Sequence, residues 1–258
     1  MAVSGNAGEL LNAGLRRLRE DPDIEALLKN RTGEVETLLN RYLDEIELFN
    51  PAYGLVGAGS REELVIKHIL DSLSPLGIIR RLRPAPPAGK AAVPVIPFSI
   101  ADAGSGAGLP GIPLAVAMPD VPVTLMERMG RRAGFLENVR AVLGLSNVAV
   151  EEGEIEKTPS RRFSLITFRA LKALEPAILK SLFRLLLPGG FLAAYKGRKD
   201  TIEAEMEGVK QHAGKWKILP CPVPFLEEER HLVIIRDNYT DPEKTDPNWR
   251  NGGYASQR

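Results

Sequence analysis

Ile100-Ala-Asp102-Ala-Gly104-Ser-Gly106-Ala-Gly108-Leu109-Pro110-Gly111-Ile112-Pro113 carries the clearest structural signal in the chain. A short apolar run ending in an acid passes into small residues and then into a helix-forming segment. Alternating glycines let a chain turn sharply and let a ligand come close to the backbone, at an entropy cost that a plain turn does not require. Such a loop belongs where the first strand of a parallel sheet gives way to a helix, and these sheets bind ligands beyond the carboxyl ends of their strands. Asp102 lies at that end. Glu127 follows roughly 20 residues on, where an acid can hydrogen-bond ribose hydroxyls. Asp102, Gly104, Gly106, Gly108 and Glu127 are therefore the candidate contacts to a nucleoside ligand.

Downstream of the loop the pattern alternates. Strand-like runs at 98–103, 121–126, 147–150, 163–168 and 191–195 are interleaved with helical runs at 109–118, 131–143, 175–187 and 201–213. Strands alternating with helices predict an α/β fold with a doubly wound, mostly parallel sheet. Two last runs, 216–219 and 231–236, have no helix between them and are expected as an antiparallel pair at one edge. Pro188-Gly-Gly190 reads as the turn into the fifth strand.

Upstream, Val35, Leu39, Tyr42, Ile46 and Phe49 step by three and four, and Leu64, Val65, His68, Ile69 and Leu73 do the same. Both are apolar helix stripes. The intervening Asn50-Pro-Ala-Tyr-Gly-Leu-Val-Gly-Ala-Gly59 is a loop by composition. The expected organisation is an N-terminal helical segment over 1–79, a Pro- and Ala-rich basic connector over 80–97, the nucleoside-binding domain over 98–237 and a disordered polar tail over 238–258.

Composition narrows the classes. With 44% hydrophobic and 26% charged residues, the chain can build an ordinary globular core. A net charge of +1 gives no global field, so a nucleic acid would have to be held by local basic patches. The single cysteine, Cys221, excludes an intramolecular disulfide and a cysteine-built metal site, and the three histidines are scattered. The apolar stretches fall short of the ~20 residues a membrane helix needs. Met1–Gly14 lacks a basic start followed by an apolar run, so no secretion signal is expected and the cytoplasm follows.

The glycine loop alone leaves the ligand open. Gly104, Gly106 and Gly108 give the tight spacing typical of methyl-donor enzymes, whereas Gly106, Gly108 and Gly111 also satisfy the dinucleotide fingerprint. The closing antiparallel pair favours the former. The chain then resembles a known family, RsmG (GidB), the 16S rRNA (guanine-N7) methyltransferases. Asp102-Ala-Gly-Ser-Gly-Ala-Gly-Leu-Pro-Gly-Ile-Pro-Leu114 is similar to that family's signature. So are Lys67-His68-Ile-Leu-Asp71-Ser72, Gly130-Arg-Arg132 with Phe135-Leu136, Phe168-Arg169-Ala170, Tyr195-Lys196-Gly197 and Glu229-Arg230-His231-Leu-Val233, in the expected order. The chain departs from the family at Phe49-Asn50 and Tyr53-Gly-Leu-Val56, where Trp-Asn and Tyr-Asn-Leu-Thr are usual, and at Phe168, which stands where Ser is usual.

The resemblance implies a class I methyltransferase-like fold using S-adenosyl-L-methionine, with cofactor contacts at Gly104, Leu109, Ile155, Glu156 and Arg169. It implies 16S ribosomal RNA or the small ribosomal subunit as partner, and a monomer with no membrane attachment is expected. Guanine N7 has a lone pair and no proton to lose, so no general base is expected; Arg169 and Lys196 are expected to position the substrate. Arg131, Arg132, Lys196, Arg198 and Arg230 are expected to meet RNA, as are Arg80, Arg81, Arg83, Lys90 and Arg128 as a group. His68 is expected in a structural role beside Asp71. The rival readings are a methyltransferase acting on a small molecule or protein, a nicotinamide-dependent oxidoreductase, and a non-catalytic ribosome-binding protein.

Overall fold

A computed structural model describes residues 7–83, 97–169 and 174–236. The predicted disordered tail, Lys90 and most of the basic connector lie outside the described residues. No helix among the described residues is long and apolar enough to cross a membrane.

The sheet has seven strands: β1 (Ile100–Ala103), β2 (Val123–Glu127), β3 (Val148–Glu152), β4 (Phe163–Arg169), β5 (Leu186–Lys196), β6 (Trp216–Pro220) and β7 (His231–Ile235). Their order is β3-β2-β1-β4-β5-β7-β6. The first five run parallel, with Asp102 opposite Leu125 and Thr167, while β7 pairs antiparallel with both β5 and β6. The doubly wound sheet and its antiparallel edge are as the sequence predicts. β1 is buried at all four residues because strands flank it on both sides and helices cover both faces.

The helices are α1 (Ala7–Leu18), α2 (Pro22–Leu28), α3 (Thr32–Tyr53), α4 (Arg61–Leu64), α5 (Asp71–Leu73), α6 (Leu76–Arg81), α7 (Gly111–Ala117), α8 (Gly130–Leu143), α9 (Pro176–Leu185) and α10 (Lys199–Val209). A π-helical segment, Val65–Leu70, joins α4 to α5. One apolar cluster unites α1, α3 and the π segment with α7 and α8; a second lies on the other face under α9 and α10. Val35, Leu39, Tyr42 and Ile46 are fully buried, so the predicted stripe is the face that α3 lays on the core.

Three local expectations need correction. The loop expected from Asn50 begins only at Gly54, because α3 continues through Pro51 to Tyr53. The Asn50 side chain accepts from the N–H groups of Leu55 (2.8 Å) and Val56 (3.0 Å), and Gly54 takes the left-handed conformation at φ 58°, which together end the helix. Arg80 and Arg81 are helical, in α6, and both pair with Asp23 of α2. Pro188-Gly-Gly190 lies inside β5, whose pairing with β4 shifts register between Phe163 and Leu165.

Candidate functional site

The Gly-rich loop is fixed from three sides. Gly104 and Ser105 both donate their N–H to Met126 O, at 2.9 and 3.0 Å, which ties the loop to the end of β2. Gly108 N–H closes a tight turn on Ser105 O at 2.7 Å. Tyr42, fully buried in α3, donates its hydroxyl to Ala107 O at 2.6 Å. The helical segment thus holds the loop directly. Tyr42 reads in the sequence as one more core residue, because its stripe position hides a hydroxyl.

Gly104, Gly106 and Gly108 all have positive φ, at 70°, 58° and 92°. A Cβ at Gly108 would come within 2.6 Å of Ile112 and 3.0 Å of Leu136, so that glycine serves packing. A Cβ at Gly106 would meet nothing nearer than Gly104 O at 3.9 Å. That open space, at the carboxyl end of the sheet, is a cradle a side chain would fill.

Asp102 is 1% exposed. Its Oδ2 accepts Gly111 N–H at 3.0 Å, and Oδ1 lies 3.3 Å from the Thr167 hydroxyl. Burial pushes its carboxyl up to about 6, against the pull of the Gly111 N–H. Its visible work is to tie β1 to the start of α7. Glu127 is 5% exposed and accepts the N–H of Gly106 at Oε2 and of Met129 at Oε1, both at 2.9 Å. Each carboxylate oxygen has a further lone pair, so these bonds orient Glu127 and leave it able to accept ribose hydroxyls.

After β3, Ile155–Lys157 forms a 3-10 turn; Ile155 is half-buried and Glu156 exposed. Arg184 of α9 holds this turn, donating to the carbonyls of Thr158 (2.6 Å), Ile155 (2.8 Å) and Glu156 (3.1 Å). No sequence motif marks Arg184. Arg184→Ala should loosen the turn and leave carbonyls to water. If Ile155 and Glu156 hold the adenine side of the nucleoside, its dissociation constant should rise about tenfold, the equivalent of ~1.4 kcal/mol. Calorimetry with S-adenosylhomocysteine reads the change; unaltered affinity would detach that turn from the site.

Arg169, at the end of β4, faces the π segment. Nη1 donates to Asp71 Oδ2 at 2.9 Å and to Lys67 O at 3.3 Å, and Nη2 donates to His68 Nδ1 at 3.0 Å. Asp71 Oδ1 pairs with Arg230 Nε at 3.2 Å. One buried carboxylate therefore clamps two arginines, one from β4 and one from the segment before β7. Burial raises the Asp71 carboxyl, and both guanidiniums oppose that. His68 partners Arg169 rather than Asp71, and burial followed by the Arg169 charge lowers it to about 4. A neutral ring accepting at Nδ1 fits this bond.

The remaining cations are partly engaged. Lys196 pairs with Glu205 at 2.9 Å, with both side chains largely buried. Arg198 pairs with Asp200, and Arg83 with Asp120 at 2.8 Å. Arg131 and Arg132 of α8 reach the carbonyls of Ala52 and Gly54, at 3.5 and 3.4 Å, and the Arg131 guanidinium lies 5.5 Å from the Tyr53 ring centre. Arg131 and Arg132 thus line up with the carboxyl end of α3. Arg198 stays an exposed surface group.

A family model described as GidB, rRNA small subunit methyltransferase G, matches residues 35–233. The chain is 40% identical over 219 residues to a ribosomal RNA small subunit methyltransferase G from Treponema denticola, covering 78% of this chain and 86% of the relative. It is 32% identical over 227 residues to the protein of the same name from Neisseria gonorrhoeae, covering 88% and 97%. Among solved structures it is similar to a SAM-dependent methyltransferase from Aquifex aeolicus, with TM-score 0.46 and 15% identity over 64% of this chain and 92% of the other. The matched span runs from α3 through the glycine loop and the Asp71 clamp into β7, and the chain belongs to the GidB family, rRNA small subunit methyltransferase G.

Proposed function

We propose that this chain transfers the methyl group of S-adenosylmethionine to N7 of a guanine in 16S ribosomal RNA, working as a monomer in the cytoplasm on that RNA or on the small subunit. The observation that carries the reading is the cradle itself: a left-handed Gly106 opening on free space, its N–H fixed to a buried Glu127 at 2.9 Å. A left-handed backbone, a buried acid and open space at the carboxyl end of the sheet support nucleoside binding there. Glu127 takes the ribose, the Ile155–Glu156 turn flanks the adenine, and Gly104, Gly106 and Leu109 line the rest. Asp102 contributes by holding the loop.

The cofactor supplies a methyl group activated on a sulfonium. The chain's own task is alignment, because N7 presents its lone pair without losing a proton. Arg169 is the positioning group at the strand ends. Asp71, His68 and the Lys67 carbonyl fix its guanidinium while leaving donors over for a base or a phosphate. Lys196 is committed to Glu205, so it is the weaker candidate for that role. Arg131 and Arg132 are the RNA contacts nearest the loop; Arg230 acts through Asp71.

Two measurements test this reading. Calorimetry should show binding of S-adenosylhomocysteine and none of NAD; the reverse result would favour an oxidoreductase. Single-turnover rates with RNA and cofactor saturating should be nearly flat from about pH 6 to about pH 9. His68, held near 4, is neutral throughout that range. The sign for stability follows from the same lowering. The neutral histidine's contribution is present above its ordinary value of 6.5 and is lost as pH falls through about 4. His68→Gln should therefore change acid stability and leave the flat rate profile alone. A steep rise in rate near 6.5 that vanishes in His68→Gln would make that histidine a base and contradict N7 as the target atom.

A further inference from the structure

A groove of about 1030 Å³ lies between α9, the starts of β4 and β5, and the turn after α10. Arg161 and Leu186 put one end of the groove at the amino ends of β4 and β5, while its Arg184 wall bonds the Ile155–Glu156 turn. Three cations line it, Arg161, Lys180 and Arg184, with His212 beside them, and no carboxylate is among its lining residues. Phe183 and Pro188 add flat apolar faces.

Some exposed helix cations carry an acid a turn away, as in Arg140–Glu137 and Lys199–Glu203. Arg161 and Lys180 are exposed and form no ion pair among the described residues. Arg184 is immobilised by its three carbonyl partners, which makes it a fixed positive charge in the groove wall. Arg161 also holds a left-handed backbone at φ 55°, a conformation that glycine adopts without strain. A long cationic side chain stands at a position whose backbone favours none.

We propose that this groove is a second RNA site, taking a single-stranded stretch of the ribosomal RNA substrate with its phosphates on Arg161, Lys180 and Arg184 and a base against Phe183. It rests on the RNA-methyltransferase reading above. A cationic channel free of acids recognises a polyanion, an adjacent aromatic face stacks a base without regard to sequence, and an open groove suits a chain that passes through it. With a net charge of only +1, this local concentration is how the chain gains an RNA footprint beyond the base it modifies. Phosphate contacts away from the methylated base add affinity and register rather than catalysis.

The test is a salt titration of binding to protein-free 16S rRNA, comparing the unmodified chain with the double variant Arg161→Gln, Lys180→Glu. The variant should bind at least tenfold more weakly at low salt. Its slope of log affinity against log salt should be shallower by about 0.7 to 0.9 for each cation removed. KM for RNA should rise while kcat and S-adenosylhomocysteine affinity stay unchanged, which also shows that the variant is folded. Lys180→Ala, a helix-favouring change at an exposed position, should move the same way by about one phosphate contact. RNA affinity and slope equal to those of the unmodified chain would overturn the groove alone. An unmodified chain with no affinity for the RNA would overturn the RNA reading and the groove with it.

Discussion

Gly106→Val should abolish S-adenosylmethionine binding, by 100-fold or more in dissociation constant, while leaving a folded protein. A 100-fold loss is about 2.8 kcal/mol, the scale of one ligand face displaced. The added Cβ enters the open space above the loop rather than the core, since its nearest neighbour would be Gly104 O at 3.9 Å. A β-branched residue at φ 58° adds strain of about 1 to 2 kcal/mol. That strain falls on a loop whose Gly106 N–H is bonded to Glu127. Gly108→Val should fail differently. Its Cβ would collide with Ile112 and Leu136, so stability falls along with binding. Calorimetry with thermal unfolding separates the two, and a Gly106→Val protein with normal affinity would reduce the loop to a turn.

Asp71→Ala should be among the most destabilising single changes in the chain. It leaves Arg169 and Arg230, whose side chains are 18% and 27% exposed, without their shared counter-ion. Breaking a buried pair by removing one partner costs about 3 to 5 kcal/mol, and the residual exposure of both arginines argues for the lower end. For a chain of this size that is a fall in melting temperature on the order of 6 to 12 °C. Transfer should suffer as well, because Arg169 loses the bond that aims it. Asp71→Asn keeps the shape and one acceptor, and should fall between the two. A melting temperature that does not move in Asp71→Ala would show that the clamp holds nothing.

The sequence carried the sheet further than the site. Alternation of strand and helix after Ile100, and the lack of a helix between Trp216 and His231, were enough for topology, because each strand had to be covered on both faces. The end of α3 was not legible: Pro51 reads as a helix breaker, and only the Asn50 side chain and a left-handed Gly54 show where the last turn closes. The glycine loop was legible because its spacing is local. The partners that aim it were not, since Tyr42 and Ala107 are 65 positions apart and Arg169 and Asp71 are 98. That Arg230 shares Asp71 and Lys196 faces Glu205 was not legible either, because periodicity gives a residue's element but not its distant partner.

The reaction proposed for this chain is methylation of guanine N7 in 16S ribosomal RNA. Its most direct measurement is chemical mapping of N7-methylguanine, by cleavage at the labilised base, in 16S rRNA incubated with S-adenosylmethionine in the presence and absence of this protein. A single new cleavage site at a guanine, present only with active protein and absent with Gly106→Val, is the result expected. Methyl incorporation at a different atom or base, or none into this RNA, would contradict it.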